Sequence, residues 1–147
     1  MHITRNTVQR QIILEAVKKF PTHPTVEEVY SKIHKNHPTI SKATMYRNLR
    51  LLAERGEIRQ ISLPNDVDRF DERTDQHYHF RCKICGALLD VDIEYLAGIN
   101  ETVQQKNGVQ VDEHDVVFRG ICATCGGYTN KNPACNNLLI QYNNKEK

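Results

Sequence analysis

The stretch "DQHYHFRCKICG", residues 75–86, sets two histidines either side of a tyrosine and then two cysteines two residues apart. Imidazole and thiolate are strong ligands for transition metals, so this run holds the makings of one metal site or two. Cys82 and Cys85 have a counterpart in Cys122 and Cys125, and glycine follows each pair, Gly86 in one case and Gly126 with Gly127 in the other. Two CxxC pairs on tight turns can close a tetrahedral four-sulfur cage around zinc, with Zn–S bonds of about 2.3 Å. A cage with no open position is structural and holds down a small domain with a thin core. A redox CxxC or two disulfides are the other uses of such spacing, and a reducing cytosol disfavours both.

The histidines suggest a different ion. In a strand alternate residues share a face, so His77 and His79 point the same way with Tyr78 opposed. Asp71 in "RFD" and Asp90 in "LLDVD" lie where they could join them. Nitrogen and oxygen donors without thiolate suit Fe(II), Mn(II) or Zn(II), held more exchangeably than by four sulfurs. A plain pair of strand histidines is the other reading. His114 is a further possible ligand, although Gln76 leaves it without an evident partner, and Cys135 is left over as a free thiol in a polar tail.

Elements must position these groups. "TVQRQIILEAVKKF" reads as a first helix, ending before Pro21. In "HPTVEEVYSKIHKNHP", Thr25 and Glu28 form a capping box for a second helix, with Val26, Val29, Tyr30 and Ile33 on one face. "SKATMYRNLRLLAERGEI" is a third, N-capped by Ser41 and stopped at Gly56. On it Met45, Leu49 and Leu52 share a face, leaving Arg47 and Arg50 on the other and Tyr46 on a flank. A strand, a turn at Pro64–Asp66 and a second strand follow, which completes a winged helix-turn-helix. Such a helix can enter a major groove, with Ser41 and Thr44 at its N-terminus holding a phosphate and Tyr46, Arg47 and Arg50 reaching phosphates or base edges. A solvated helix face with two ordinary arginines is the bland alternative.

Charge agrees with a nucleic-acid partner. Residues 1–63 carry 11 Lys+Arg against 5 Asp+Glu, net +6, while residues 64–147 carry 9 against 13, net −4. The front half suits a polyanion and the back half suits cations. In the back half, "GALLDVDIEYL" reads as a strand leading to a helix that runs to Asn107, and "VQVDEHDVVFRGIC" as a strand pair or one long bent strand. The expectation is an α+β protein: a winged helix-turn-helix domain over 1–70, then a small α/β dimerisation and metal-binding domain over 71–147 with a polar tail. An exposed sheet edge there could pair two copies into a homodimer suited to a palindromic operator in double-stranded DNA. No apolar run nears the roughly 20 residues that cross a bilayer, and no signal peptide is evident, so a cytoplasmic protein is expected.

The ordered motifs "HPTVEEVY", "SKATMYRNLRLLAERGEI", "RFD", "HYHFRCKICG", "LLDV" and "CATC" resemble the ferric uptake regulator superfamily of bacterial metalloregulatory repressors over nearly the whole chain. The resemblance implies a homodimer of winged-helix and α/β domains. It places a regulatory metal on His23, Asp71, His77, His79 and Asp90, apart from the zinc cage. It implies that this metal clamps the two domains in a DNA-competent arrangement. Asp90, where iron-uptake regulators often have glutamate, is similar to the peroxide-sensing branch. There Fe(II) and hydrogen peroxide oxidise a ligand histidine, matching His23 or His77, and the operator is released. Met45 departs from the valine the family often shows. An iron- or zinc-responsive uptake regulator is the alternative within the superfamily. Outside it stand a metalloenzyme and a zinc-ribbon interaction module. The enzyme reading lacks a placed general base and the usual catalytic motifs, so no enzyme is expected.

Overall fold

The structure, a computed structural model, describes residues 5–126, so Cys135 and the polar tail lie outside the described residues. The chain divides into two compact units after Asp75. That is five residues beyond the expected boundary, because Asp71 pairs back onto Arg59 in a strand ladder that belongs with the helices.

The first unit is three helices and a hairpin: α1 (Arg5–Lys18), α2 (Val26–Ile33), α3 (Lys42–Glu54), β1 (Arg59–Ile61) and β2 (Arg69–Asp71). The Thr25 side chain accepts from the Glu28 N–H, and the Glu28 carboxylate accepts from the Thr25 N–H, so the capping box forms in full. Ser41 caps α3 by accepting from the Thr44 N–H, and Gly56 ends the turn after it at φ +71, a conformation that disfavours a side chain. The three helices bury one core in which Ile13, Val29, Met45, Leu49 and Leu52 have no exposed surface. The apolar stripe read on the third helix is therefore the stripe that packs, and this fixes which residues of α3 face outward.

In the second unit β3 (Tyr78–Cys82) lies between β4 (Leu88–Val91), antiparallel to it, and β5 (Val117–Gly120), parallel to it. The helix α4 (Gly98–Asn107) connects β4 to β5. Only Val117–Gly120 of the second predicted strand region is a strand. Before it, backbone N–H groups find side-chain acceptors in place of a ladder: Val111 donates to the Gln104 carbonyl oxygen and His114 to the Tyr95 hydroxyl. That competition from polar side chains is why the strand is shorter than its pattern suggests. The α4 helix has no buried residue, and Leu96, Ile99, Val103, Val109, Phe118 and Ile121 are exposed. Among the described residues no helix is long and apolar enough to cross a membrane.

Candidate metal centres and the basic helix

The two CxxC segments fold alike. The Gly86 N–H donates to the Cys82 carbonyl and the Gly126 N–H to the Cys122 carbonyl, so each pair of cysteines sits on a closed turn with its sulfurs inward. The β3–β5 pairing carries Cys82 beside Gly120, two residues before Cys122, and this brings the distant turns together. All four sulfurs lie within 4.8 Å of one another, with Cys85 Sγ to Cys122 Sγ at 3.9 Å. Sulfurs at the corners of a tetrahedron with 2.3 Å bonds stand about 3.8 Å apart, so the donors fit zinc.

Protonation favours a dication there. Burial raises the Cys82 thiol, but N–H groups of Cys122, Cys85 and Ile84 directed at its sulfur outweigh that and bring it down to about 6. Burial raises Cys85, and burial together with the neighbouring thiols pushes Cys125 up to about 12. One thiolate forms easily, and further ones need a positive charge among them. Cys82, Cys85, Cys122 and Cys125 are free thiols, with no disulfide among these four.

The nitrogen and oxygen donors fall into two groups, one on each unit. In the first, the segment before α2 runs antiparallel to β2: Thr25 bridges Arg69, the Phe70 N–H donates to the Pro24 carbonyl, and the Arg69 guanidinium donates to the His23 carbonyl at 3.2 Å. Continued by two residues, that register sets His23 opposite Asp71, and His23 Nδ1 is 3.5 Å from Asp71 Oδ1. Both are buried, Asp71 to 2% exposure, and Asp71 also accepts from the Arg73 N–H.

In the second unit His79 pairs directly across the ladder with Asp90. His77, one residue before β3, turns to the same side. Asp90 Oδ1 stands 3.2 Å from His77 Nε2 and 3.7 Å from His79 Nε2, and the two imidazoles are 4.5 Å apart between ring centres. The imidazoles are buried while Asp90 is a third exposed, so the group opens to solvent on its carboxylate side. Two imidazoles and one carboxylate at these separations can take a divalent ion with little movement.

His114 is otherwise engaged. Its Nε2 lies 2.6 Å from the Tyr78 hydroxyl, and its Nδ1 lies 2.6 Å from Asn100 Oδ1 and 2.9 Å from the Tyr95 hydroxyl. Neither ring nitrogen is directed at a carboxylate or a thiol, so His114 is a hydrogen-bonding residue in this fold. Tyr95 and Asn100 complete this arrangement, and a lone tyrosine and asparagine carry no signal in the sequence by which to find them.

On α3, Tyr46 is 53% exposed and Arg47 and Arg50 project outward, as the helical period requires. Thr44 differs from the expectation in part: its N–H and hydroxyl both bond to Ser41, and its hydroxyl also accepts from Arg47 at 3.4 Å, so the cap takes one of the N–H groups expected to meet a phosphate. Arg50 pairs with Glu54 at 3.1 Å, and Lys42 with Glu27 at 3.0 Å. An open cleft beside α3 is flanked by Ala43, Tyr46, Arg47 and Arg50 and, from the hairpin, by Gln60 and Asp68.

The three-helix unit with a hairpin, and the small sheet unit carrying clustered metal donors, are those of an α+β regulator that responds to metal. A family model described as the ferric uptake regulator family matches residues 2–119, and the chain belongs to that family. It is 35% identical over 121 residues to the peroxide-responsive repressor PerR of Staphylococcus aureus, a match covering 82% of each chain. Among solved structures, the Campylobacter jejuni peroxide stress regulator is 31% identical with a TM-score of 0.69, over 82% of this chain and 91% of that one. The Francisella tularensis ferric uptake regulator with iron shares the fold at 23% identity and a TM-score of 0.67, over 86% and 95%.

Proposed function

We propose that this protein is a DNA-binding transcriptional repressor of the peroxide-sensing kind, a homodimer with a structural zinc and an exchangeable regulatory Fe(II) or Mn(II). The observation that carries this reading is the partition of donors. Two buried imidazoles share Asp90, and among the described residues the four thiols form a separate cage on the same unit. Soft and harder donors kept apart suit two ions with two tasks, Cys82, Cys85, Cys122 and Cys125 holding zinc and the histidines and aspartates holding the other.

In this reading His23 and Asp71 join His77, His79 and Asp90 around one ion. The imidazoles bring lone pairs and the two carboxylates bring the charge that a dication requires. The ligands bind best when they converge, so loading selects that arrangement from the ensemble. A swing from 1:99 to 99:1 takes about 5.5 kcal/mol of differential binding. Fe(II) held by these residues would supply the reactivity by which hydrogen peroxide, the oxidant, places one oxygen on the imidazole of His23 or His77, its other oxygen leaving as water. An oxidised imidazole is a poorer ligand, the ligands no longer converge, and DNA is released.

The first unit serves as a winged helix-turn-helix. Its α3 presents Tyr46, Arg47 and Arg50 to the major groove, with Ser41 and Thr44 against the backbone. The exposed apolar residues of the second unit, Leu96, Ile99, Val103 and Phe118 among them, form the homodimer surface, and two-fold pairing suits a palindromic operator. A reducing cytoplasm keeps the thiols available for zinc.

The test is operator binding by iron-loaded and manganese-loaded protein before and after brief peroxide, with peptide mass analysis. The expected result is loss of binding in the iron form only, with one added oxygen on a peptide containing His23 or His77. Intact peptides and retained binding would make the protein an iron- or zinc-responsive uptake regulator instead.

A further inference from the structure

Tyr78 stands between two of the proposed ligands, and its side chain leaves the opposite face of β3 to enter a polar network that the metal sites do not use. The residue is 1% exposed. Its hydroxyl accepts from the Leu96 N–H at 2.9 Å and meets His114 Nε2 at 2.6 Å. His114 is in turn stacked on Tyr95, rings 4.4 Å apart and 19° from parallel, and its Nδ1 meets Asn100 Oδ1 at 2.6 Å. One proton arrangement satisfies these groups together. His114 carries its proton on Nδ1 and donates it to Asn100, Nε2 accepts the Tyr78 proton, and the Tyr78 oxygen accepts from Leu96. The Tyr95 hydroxyl accepts from the His114 N–H and donates to the His114 carbonyl at 3.3 Å.

The network ties the first residue of β3 to three separate segments: the approach to α4 at Leu96, α4 itself at Asn100, and the run before β5 at His114. Ladder pairing begins at Tyr78, opposite Val91, so His77 lies just beyond the last pair. Its fixed neighbour is Tyr78, whose side chain is pinned by two hydrogen bonds on the far face.

We propose that Tyr78 and His114 are positioning residues for the regulatory metal: their hydrogen bond, anchored by Leu96, Asn100 and Tyr95, holds the start of β3 so that His77 and His79 keep their imidazoles together on Asp90. This rests on the reading of His77, His79 and Asp90 as metal ligands. Groups outside the ligands that orient them are commonly worth tenfold or more in metal affinity.

The experiment compares the full-length, zinc-loaded protein with Tyr78→Phe, His114→Leu and His114→Gln, by titration with Mn(II) and by the visible spectrum of Co(II) at the regulatory site. Gln offers an acceptor where Nε2 stands, and Leu offers none. Tyr78→Phe and His114→Leu are expected to weaken Mn(II) by about tenfold and to change the Co(II) bands. His114→Gln should recover most of the affinity, with zinc content unchanged in all three. Mn(II) affinity within twofold of the parent in both Tyr78→Phe and His114→Leu overturns the proposal, as does a loss of zinc alongside Mn(II), which marks a general structural role. If Tyr78→Phe does not fold, the contrast between His114→Leu and His114→Gln decides in the same way. A parent that takes up no Mn(II) refutes the ligand reading itself, a result distinct from equal binding by parent and variants.

Discussion

Removing zinc from the four-cysteine cage should unfold the second unit and leave the first folded. The cluster around the two knuckles consists of Cys82, Ala87 and Cys122 fully buried, with Phe80, Cys85, Leu89 and Cys125 packed against it, so four of its seven members are the cysteines themselves. The α4 helix adds no buried residue. In the first unit thirteen buried apolar residues pack together without any metal. Structural zinc in small domains contributes about 10–16 kcal/mol of apparent binding energy, against a typical native margin of about 5–15 kcal/mol. Even a quarter of that, about 3 kcal/mol for one of four ligands, takes up much of the margin of a unit with so little apolar core. Cys82→Ser replaces a buried sulfur that readily becomes a thiolate with a hydroxyl that does not, so the loss should exceed that quarter. The assay combines zinc content, thermal melting and amide dispersion by heteronuclear NMR. The expected outcome is a zinc-free chain in which amides of residues 5–75 stay dispersed and those of 76–126 collapse. A zinc-free Cys82→Ser protein with both sets dispersed and the parent melting profile would refute the reasoning.

Zinc affinity should rise with pH, because zinc must displace protons from Cys85 and Cys125, both held above the ordinary thiol value. Cys82 is lowered, so its thiolate is present above about 6 and lost below it, and the slope of affinity against pH should steepen by one proton there; chelator competition on either side of that pH checks it, and an unbroken slope counts against it. Arg50→Ala should weaken DNA binding across sequences and reduce its salt dependence by about one phosphate contact, whereas Glu54→Gln, which frees Arg50 from its ion pair, should strengthen non-specific binding in the same filter assay. Thr25→Ala removes the capping box of α2 and should cost about 1 kcal/mol in urea unfolding, with Thr25→Ser restoring it.

Local signals account for much of what could be read in advance. A capping box, a helical stripe and a CxxC turn are decided by residues three or four apart, and the chain carries them in full at Thr25–Glu28, Met45–Leu49–Leu52, Cys82–Cys85 and Cys122–Cys125. The strand alternation that sets His77 and His79 to one side of Tyr78 is equally local. The cage and, through the family resemblance, the histidines and aspartates could be grouped in advance, but the strand register that sets distant segments side by side needed the tertiary structure. The segment at Pro24 lies against β2 and faces His23 to Asp71, and β3 lies against β4 and faces His79 to Asp90. No residue at 23 announces residue 71, since strand register depends on which edges the packed helices leave free. His114 makes the same point in the other direction. The sequence leaves it a possible metal ligand without an evident partner, and only the packing of Tyr78, Tyr95 and Asn100 around it gives both ring nitrogens other partners.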